Sequence, residues 1–328
     1  MAPRVTEKSP MPMLRHQLVS QMSMVRRHTG MKLARRLLLF VMVCGYMWAE
    51  TEARASPPEG GSAPSASYDL EADLGLRKRE AMAELGPRAE LEVVEGTFLI
   101  AAPGGRRALR PALDVTRKAL SAYFNGRFQK RPTRAISVYL FPKAAPYEAY
   151  CKKRDSTDCI SPFGFYVHRD RRIVMNVGPG IGTLTHELIH PLVEADFPTA
   201  PDWINEGIAS LFEHFYFSAP GEIHGGKNWR HPRLVKALRS KQERSDASLP
   251  TLFALDDQQF RGDNEDLNYA AARYLCQWLD QQHKLWPFYQ RWRDHYADDP
   301  SGVKAFAAVV GKTPAEANAE WTAWVLRL

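Results

Sequence analysis

The chain has 328 residues, of which 45% are hydrophobic, so it is long and apolar enough to bury a core. Its formal net charge of +7 by itself suggests an acidic partner such as nucleic acid. Most of that charge lies in the N-terminal segment. Residues 1–55 carry nine Lys or Arg and three Asp or Glu, whereas the remainder carries 35 basic and 34 acidic residues. The composition therefore removes the main support for a nucleic-acid-binding function.

Residues 1–55 have the features of an export signal. Several basic residues within 26–36 precede an apolar stretch at 37–49, and the segment ends in Ala53-Arg54-Ala55. A membrane helix needs about 20 apolar residues, so the pattern favours a cleaved signal, with an uncleaved anchor as the alternative. We expect an exported protein, periplasmic or extracellular, with membrane contact only through this segment.

A flexible linker or leader is predicted for 56–90, because its first part is rich in Pro, Gly and Ser. Residues 70–85 have helical spacing but many charges, so a short helix and an ordered leader both remain open. The folded domain is expected at 91–328. In an oxidising compartment Cys151 and Cys159 are expected to form a disulfide across a short polar loop. Cys276 lies in an apolar helical pattern and is interpreted as a buried free thiol.

The hydrophobic pattern predicts an α+β protein in two parts. The first part, 91–200, has mixed elements; in chain order they are a strand over 91–102, a turn at 103–105, a helix over 108–124, a strand over 135–141, a hairpin around 168–171 and a helix from Thr183. In the second part, 201–328, strand signals nearly vanish and apolar periodicity near 3.6 recurs. This part is predicted to be all-helical.

A candidate metal site stands at the start of the helix after the glycine break at 178–182. The sequence His186-Glu187-Leu188-Ile189-His190 places two imidazoles one turn apart on one helix face, where both can reach one small cation. Glu187 is offset from that face and is predicted to be the general base that deprotonates the attacking water.

Zinc in a hydrolytic site needs a third protein ligand and one open position. Downstream of His190 the segment 203–213, WINEGIASLFE, has an apolar stripe, and Glu206 lies off that stripe. A helix here can pack against the first and present the Glu206 carboxylate. The sequence therefore predicts a single Zn²⁺ held by His186, His190 and Glu206.

The two motifs HELIH and NEGIASLFE resemble those of the gluzincin zinc metallopeptidases, and the helical tail resembles that of their compact exported bacterial members. The resemblance implies a zincin-like N-terminal lobe, with a twisted mixed sheet and an active-site helix, followed by a helical lobe. It implies that His186, His190 and Glu206 bind the metal and that Glu187 is the base. It also makes Tyr269, at the start of a helix in the second part, the candidate that stabilises the oxyanion.

Three positions complicate this interpretation. Asp196 is a rival third ligand, because a related group places its ligand six residues after the second His; that group needs a glycine where Val193 stands. Pro191 removes a helix hydrogen bond and is expected to kink or end the helix. Many gluzincins have an acidic residue at the position of Ser210 to orient a metal ligand, and Glu213 is predicted to serve instead.

These features predict a zinc-dependent hydrolase that cleaves peptide bonds in peptide or protein substrates. The alternative is a degenerate, non-catalytic zinc-binding domain that binds envelope peptides or cell-wall components. Folding alone does not require an acidic residue at position 187, so the presence of Glu187 favours the enzyme.

Overall fold

The computed structural model describes residues 68–104 and 106–328. The predicted export signal at 1–55 and the first part of the predicted linker lie outside these residues. The described chain contains both strands and helices, and its last seven elements are helices. The strands are β1 (Glu90–Val94), β2 (Phe98–Ala102), β3 (Ile136–Phe141), β4 (Gly164–Val167), β5 (Arg172–Asn176), β6 (Phe215–Phe217) and β7 (Ile223–Gly225). The helices are α1 (Leu70–Leu85), α2 (Arg106–Phe124), α3 (Ala144–Asp155), α4 (Gly182–Glu187), α5 (Ile189–Asp196), α6 (Asp202–Leu211), α7 (His231–Arg239), α8 (Leu249–Ala254), α9 (Asp257–Phe260), α10 (Glu265–Gln281), α11 (Leu285–Asp294), α12 (Val303–Val310) and α13 (Pro314–Arg327).

Five strands form a mixed sheet in the order β1-β2-β3-β5-β4. The central pairs, β2 with β3 and β3 with β5, are parallel, and the outer pairs are antiparallel. The central strands are buried on both faces, which explains why β3 is apolar at every position except Ser137. Strand β4 lies at the edge of the sheet, where it borders the candidate site described below.

The two faces of the sheet are covered by different helices. Val138 and Ile173 belong to a large core with Leu188 of the metal-site segment, whereas the alternate residues Tyr139 and Val174 pack with Tyr147 of α3 in a smaller cluster. The large core extends without interruption from β1 and β2 to α13. The described chain from residue 68 onward belongs to one compact unit, so its architecture is a mixed α/β fold with many helices. The finer division into two lobes stays a prediction.

The predicted strand over 91–102 is wrong in one respect. It is an antiparallel hairpin, β1 and β2, because the chain turns at Glu95 and Gly96, which both adopt positive φ. The prediction that 201–328 is all-helical is also wrong, because β6 and β7 form a short antiparallel hairpin within it. Helix α3 was not predicted. The sequence prediction agrees with the structure for four features: helix α2, strand β3, the hairpin of β4 and β5, and the helical segments after residue 201.

Residues 70–85, undecided from sequence, form helix α1. Asp69 caps it by accepting hydrogen bonds from two backbone N–H groups of its first turn. Arg77 ties the helix to the sheet, because its Nη1 donates to Ser137 Oγ at 3.1 Å and to the carbonyl of Asp170 at 3.1 Å. This part of the predicted linker is therefore part of the folded unit.

The predicted disulfide is confirmed: Cys151 in the second half of α3 is bonded to Cys159, and Cys276 is a buried free thiol. Within residues 68–104 and 106–328, no helix is both long and apolar enough to cross a bilayer.

Candidate metal centre

The paired histidines lie on a helix that is interrupted between them. Helix α4 ends at Glu187, Leu188 forms a turn, and α5 begins at Ile189. Pro191 has no N–H to donate to the carbonyl of Glu187, so the predicted interruption occurs, displaced toward the N-terminus. The start of α4 requires a glycine, because a Cβ at Gly182 would overlap the carbonyl oxygen of Glu213.

The helix that carries Glu206 packs closely against α10. A Cβ at Gly207 would lie 2.9 Å from the Sγ of Cys276 and 3.1 Å from the carbonyl oxygen of Ala272. Glycine at this position therefore lets the backbones of α6 and α10 approach. The same packing turns the neighbouring side chain, Glu206, toward the histidines of α4 and α5.

The structure brings His186, His190 and Glu206 into one buried group, whose ligand atoms all lie within 4.8 Å of one another. The Nε2 of His186 is 3.4 Å from the Oε2 of Glu206. Ligand atoms on a tetrahedral ion with bonds of 2.0–2.1 Å are about 3.3 Å apart, so this pair already has the spacing of two ligands.

Glu206 Oε2 is buried and has no well-aligned hydrogen bond among the described residues, although the Nε2 of His186 at 3.4 Å is an ion-pair partner when that ring is protonated. A buried carboxylate oxygen without a donor is costly, and a cation beside it removes that cost. Its partner oxygen Oε1 accepts from Arg261 at 2.7 Å, which fixes the carboxylate with Oε2 toward the histidines. The donor set of two imidazoles and one carboxylate therefore fits a divalent metal ion.

Each histidine has a second residue at the nitrogen that faces away from this group. The Nδ1 of His190 donates to the Oδ1 of Asn205 at 3.0 Å, which leaves the Nε2 lone pair free for a metal. The Nδ1 of His186 lies 3.5 Å from the Oε1 of Glu213, although the two atoms are not aligned as a hydrogen bond. Arg230 holds Glu213 in place with two hydrogen bonds, at 2.8 and 3.1 Å.

Glu187 lies beside the group and is not part of it. Its Oε2 is 3.8 Å from the Nε2 of His190. Burial raises the pKa of the Glu187 carboxyl to about 7. A carboxylate with a pKa near neutrality, next to a candidate metal ion, is suited to exchange protons with water.

The charges of the site favour a bound cation. Burial lowers the pKa of His190 to about 4, so this imidazole is neutral and available as a ligand. Burial by itself would lower the pKa of His186, but the nearby carboxylates, Glu206 foremost, raise it to about 9. Burial would raise the pKa of Glu206, yet His190, His186 and Arg261 hold it well below its usual range. The cluster thus attracts a positive charge, and metal binding would release the proton from His186.

The guanidinium of Arg261 connects Tyr269 to Glu206. The hydroxyl of Tyr269 accepts a hydrogen bond from the Nη1 of Arg261 at 2.5 Å, and the Nη2 of the same guanidinium binds Glu206. The Tyr269 ring also packs against the guanidinium of Arg230 at 4.8 Å. Since arginine is only a donor, the hydroxyl proton of Tyr269 remains available for another acceptor.

Asp196, the rival ligand, lies elsewhere. It is fully buried, and both of its carboxylate oxygens accept from Arg293 at 2.8 and 2.9 Å. The backbone N–H groups of Gln129 and Lys130 donate to the same carboxylate. Asp196 therefore connects α5 to α11 and does not join the histidine pair.

Four residues at the site were not identified from the sequence: Asn205, Arg230, Arg261 and Tyr166. Tyr166 extends from the edge strand β4, and its ring lies nearly parallel to that of His190, with an interplanar angle of 11° and centroids 6.5 Å apart. Its hydroxyl donates to Glu194 of α5 at 2.9 Å. Only Asn205 had a sequence signal, since it directly precedes the predicted ligand.

Comparison with known proteins gives no family assignment: no protein-family model matches this sequence, and no match is found among curated proteins. A function has to be inferred from the residues of the site.

Proposed function

We propose that the protein is an exported zinc-dependent metallopeptidase of the gluzincin type. In this proposal His186, His190 and Glu206 hold one Zn²⁺, and Glu187 is the general base. The observation that supports it most is the buried Oε2 of Glu206, which has no well-aligned hydrogen bond among the described residues and lies 3.4 Å from the Nε2 of His186, with Glu187 adjacent to but outside the ligand group. Two imidazoles and a carboxylate are a donor set typical of catalytic zinc.

When bound, zinc would supply Lewis acidity, which increases the acidity of a water molecule and polarises the substrate carbonyl. Glu187 takes the proton from the attacking water and transfers it to the amine that leaves. Tyr269 donates its hydroxyl proton in a hydrogen bond to the developing oxyanion, while Arg261 holds the tyrosine oxygen in place. The substrate enters along β4, in a cleft between a zincin-like lobe and the helices that follow residue 201.

Export is part of this proposal. The disulfide between Cys151 and Cys159 is of the kind that persists in oxidising compartments, which agrees with the signal-like pattern at 1–55. The periplasm or the extracellular space would provide such an environment.

The test is a Glu187→Gln variant of the full chain, assayed on a mixed peptide library with and without a chelator. Glutamine keeps the size of the side chain but cannot accept the proton, so we expect bound metal to be retained and hydrolysis to be lost. Glu148→Gln, at an exposed position on α3, is the matched control and should be fully active. Undiminished hydrolysis by Glu187→Gln would refute the proposed mechanism.

A further inference from the structure

One arginine side chain connects three elements beside the candidate metal centre. Arg261 directly follows α9, and its Nε donates to Asp202 of α6 at 2.7 Å. Its Nη2 donates to the Oε1 of Glu206, also of α6, at 2.7 Å, and its Nη1 donates to the hydroxyl of Tyr269 of α10 at 2.5 Å. Asp202 and Glu206 are four residues apart on one helix face, so the planar fork of a guanidinium reaches both.

The backbone that carries Arg261 is fixed as well as its side chain. The Nδ2 of Asn268, a buried side chain of α10, donates to the carbonyl of Gln259 at 3.3 Å and to that of Phe260 at 3.0 Å. The residue before Arg261 is therefore tied to the helix that carries the tyrosine. Because side chain and backbone are both held, the guanidinium has one defined position relative to the carboxylate it binds.

This position has two consequences for Glu206. Its Oε1 is occupied by Arg261, so the carboxylate offers a metal ion one oxygen, Oε2. The guanidinium is also permanently charged, and a divalent ion beside Oε2 would face this like charge across the width of one carboxylate. Repulsion between a single and a double positive charge about 6 Å apart corresponds to roughly a tenfold change in an equilibrium constant in a water-like dielectric, and to more in a buried site.

We propose that Arg261 is a positioning residue that lowers the affinity of the site for its metal ion while it prepares that ion for hydrolysis. The inference rests on the proposed function and extends it. Arg261 leaves only Oε2 for the ion, weakens the carboxylate as an electron donor, so that the ion is a stronger Lewis acid, and holds the hydroxyl of Tyr269. An arginine with a purely structural role would act in the opposite direction, because its removal would loosen the ligands and weaken metal binding.

The experiment measures the zinc affinity of the full-length Arg261→Gln protein by competition with a calibrated chelator, together with its steady-state kinetics on a cleaved peptide. We expect zinc to bind at least about tenfold more tightly than in the original protein, because the repulsion is removed and Oε1 becomes available. The kcat should fall by roughly 100-fold, since Tyr269 loses its anchor. Arg261→Met, a second neutral variant, should show the same tightening if glutamine is not tolerated.

Two further variants separate charge from geometry. Arg261→Lys keeps the charge but not the fork, so its zinc affinity should stay within about threefold of the original while its kcat falls. Arg131→Gln removes an exposed arginine that is ion-paired with Glu95, and this matched control should change neither quantity.

The outcomes distinguish this proposal from the proposed function. Weaker or unchanged zinc affinity in folded Arg261→Gln and Arg261→Met would overturn the role of Arg261 and leave the peptidase function in place. Tighter zinc binding in a protein that hydrolyses no peptide would support the role of Arg261 at the metal and count against the peptidase function. Absence of zinc binding by the original protein would overturn both.

Discussion

The Oδ1 atom of Asn205 accepts a hydrogen bond from the Nδ1 of His190 at 3.0 Å. Asn205 directly precedes Glu206, so one turn of α6 both supplies a candidate ligand and orients another. This bond fixes the tautomer of His190, with its Nε2 lone pair directed at the metal position.

Replacement of Asn205 by alanine should weaken metal binding. Without the acceptor, His190 loses its fixed ring orientation, and the affinity should fall by roughly 10- to 100-fold. Competition with a calibrated chelator measures this change. Asn264→Ala, at an exposed position that makes no side-chain cap hydrogen bond, is the control and should bind metal normally. An unchanged affinity in Asn205→Ala would show that the bond has no role in metal binding.

Gly207→Ala should destabilise the fold. The added methyl group meets Cys276 Sγ and the backbone of Ala272, so α6 must move away from α10 at a cost of about 1–3 kcal/mol in the free energy of unfolding. Denaturant titration measures it. In Gly75→Ala the new Cβ meets only the end of Arg79 at 3.7 Å, so this control should stabilise α1 by up to ~1 kcal/mol. Equal stabilisation by both substitutions would contradict the close packing of α6.

The Asp196→Asn variant tests whether Asp196, rather than Glu206, is the third metal ligand. It breaks the buried ion pair with Arg293, so the free energy of unfolding should fall by about 3–5 kcal/mol. The metal content of the folded fraction should stay the same, because Asp196 lies outside the candidate site. Loss of metal from well-folded Asp196→Asn protein would reinstate Asp196 as a ligand.

Tyr269→Phe removes the proposed hydrogen bond to the oxyanion without changing the metal ligands. We expect normal metal content and a kcat reduced by roughly 100-fold, in the range seen when one oxyanion donor is lost. Steady-state kinetics on a cleaved peptide measures it. Tyr216→Phe, at a tyrosine that is 57% exposed, serves as the control. A kcat equal to that of the original protein would remove Tyr269 from the mechanism.

The three candidate metal ligands could be predicted because each is specified by the pattern of a short segment of sequence. The four-residue spacing of His186 and His190 defines a helix face by itself, and the apolar stripe around Glu206 defines the orientation of a second helix. Arg261 could not be predicted, since it lies 55 residues from Glu206 and reaches it only through the packing of α9 and α10. Contacts of this kind depend on tertiary geometry, which periodicity does not encode.

Prediction of the fold from the sequence has the same limit, because periodicity does not encode tertiary contacts. The alternation in β4 and β5 indicated a hairpin, because one strand pattern follows the other across a short polar turn. The segment 91–102 instead read as one strand, since Glu95 and Gly96 interrupt an otherwise continuous apolar pattern only briefly. Helix α3 was missed because its buried residues, such as Tyr147 and Cys151, lie among charged ones that resemble a loop.

The central claim is that His186, His190 and Glu206 together hold one divalent ion. Elemental analysis and X-ray absorption spectroscopy of the full-length protein, incubated with zinc and then dialysed, test it most directly. We predict one zinc ion per chain, bound by two imidazole nitrogens and a carboxylate oxygen, and loss of that zinc in Glu206→Ala with the fold retained. Folded protein that takes up no zinc, or a Glu206→Ala variant with the same zinc content and spectrum, would contradict the claim.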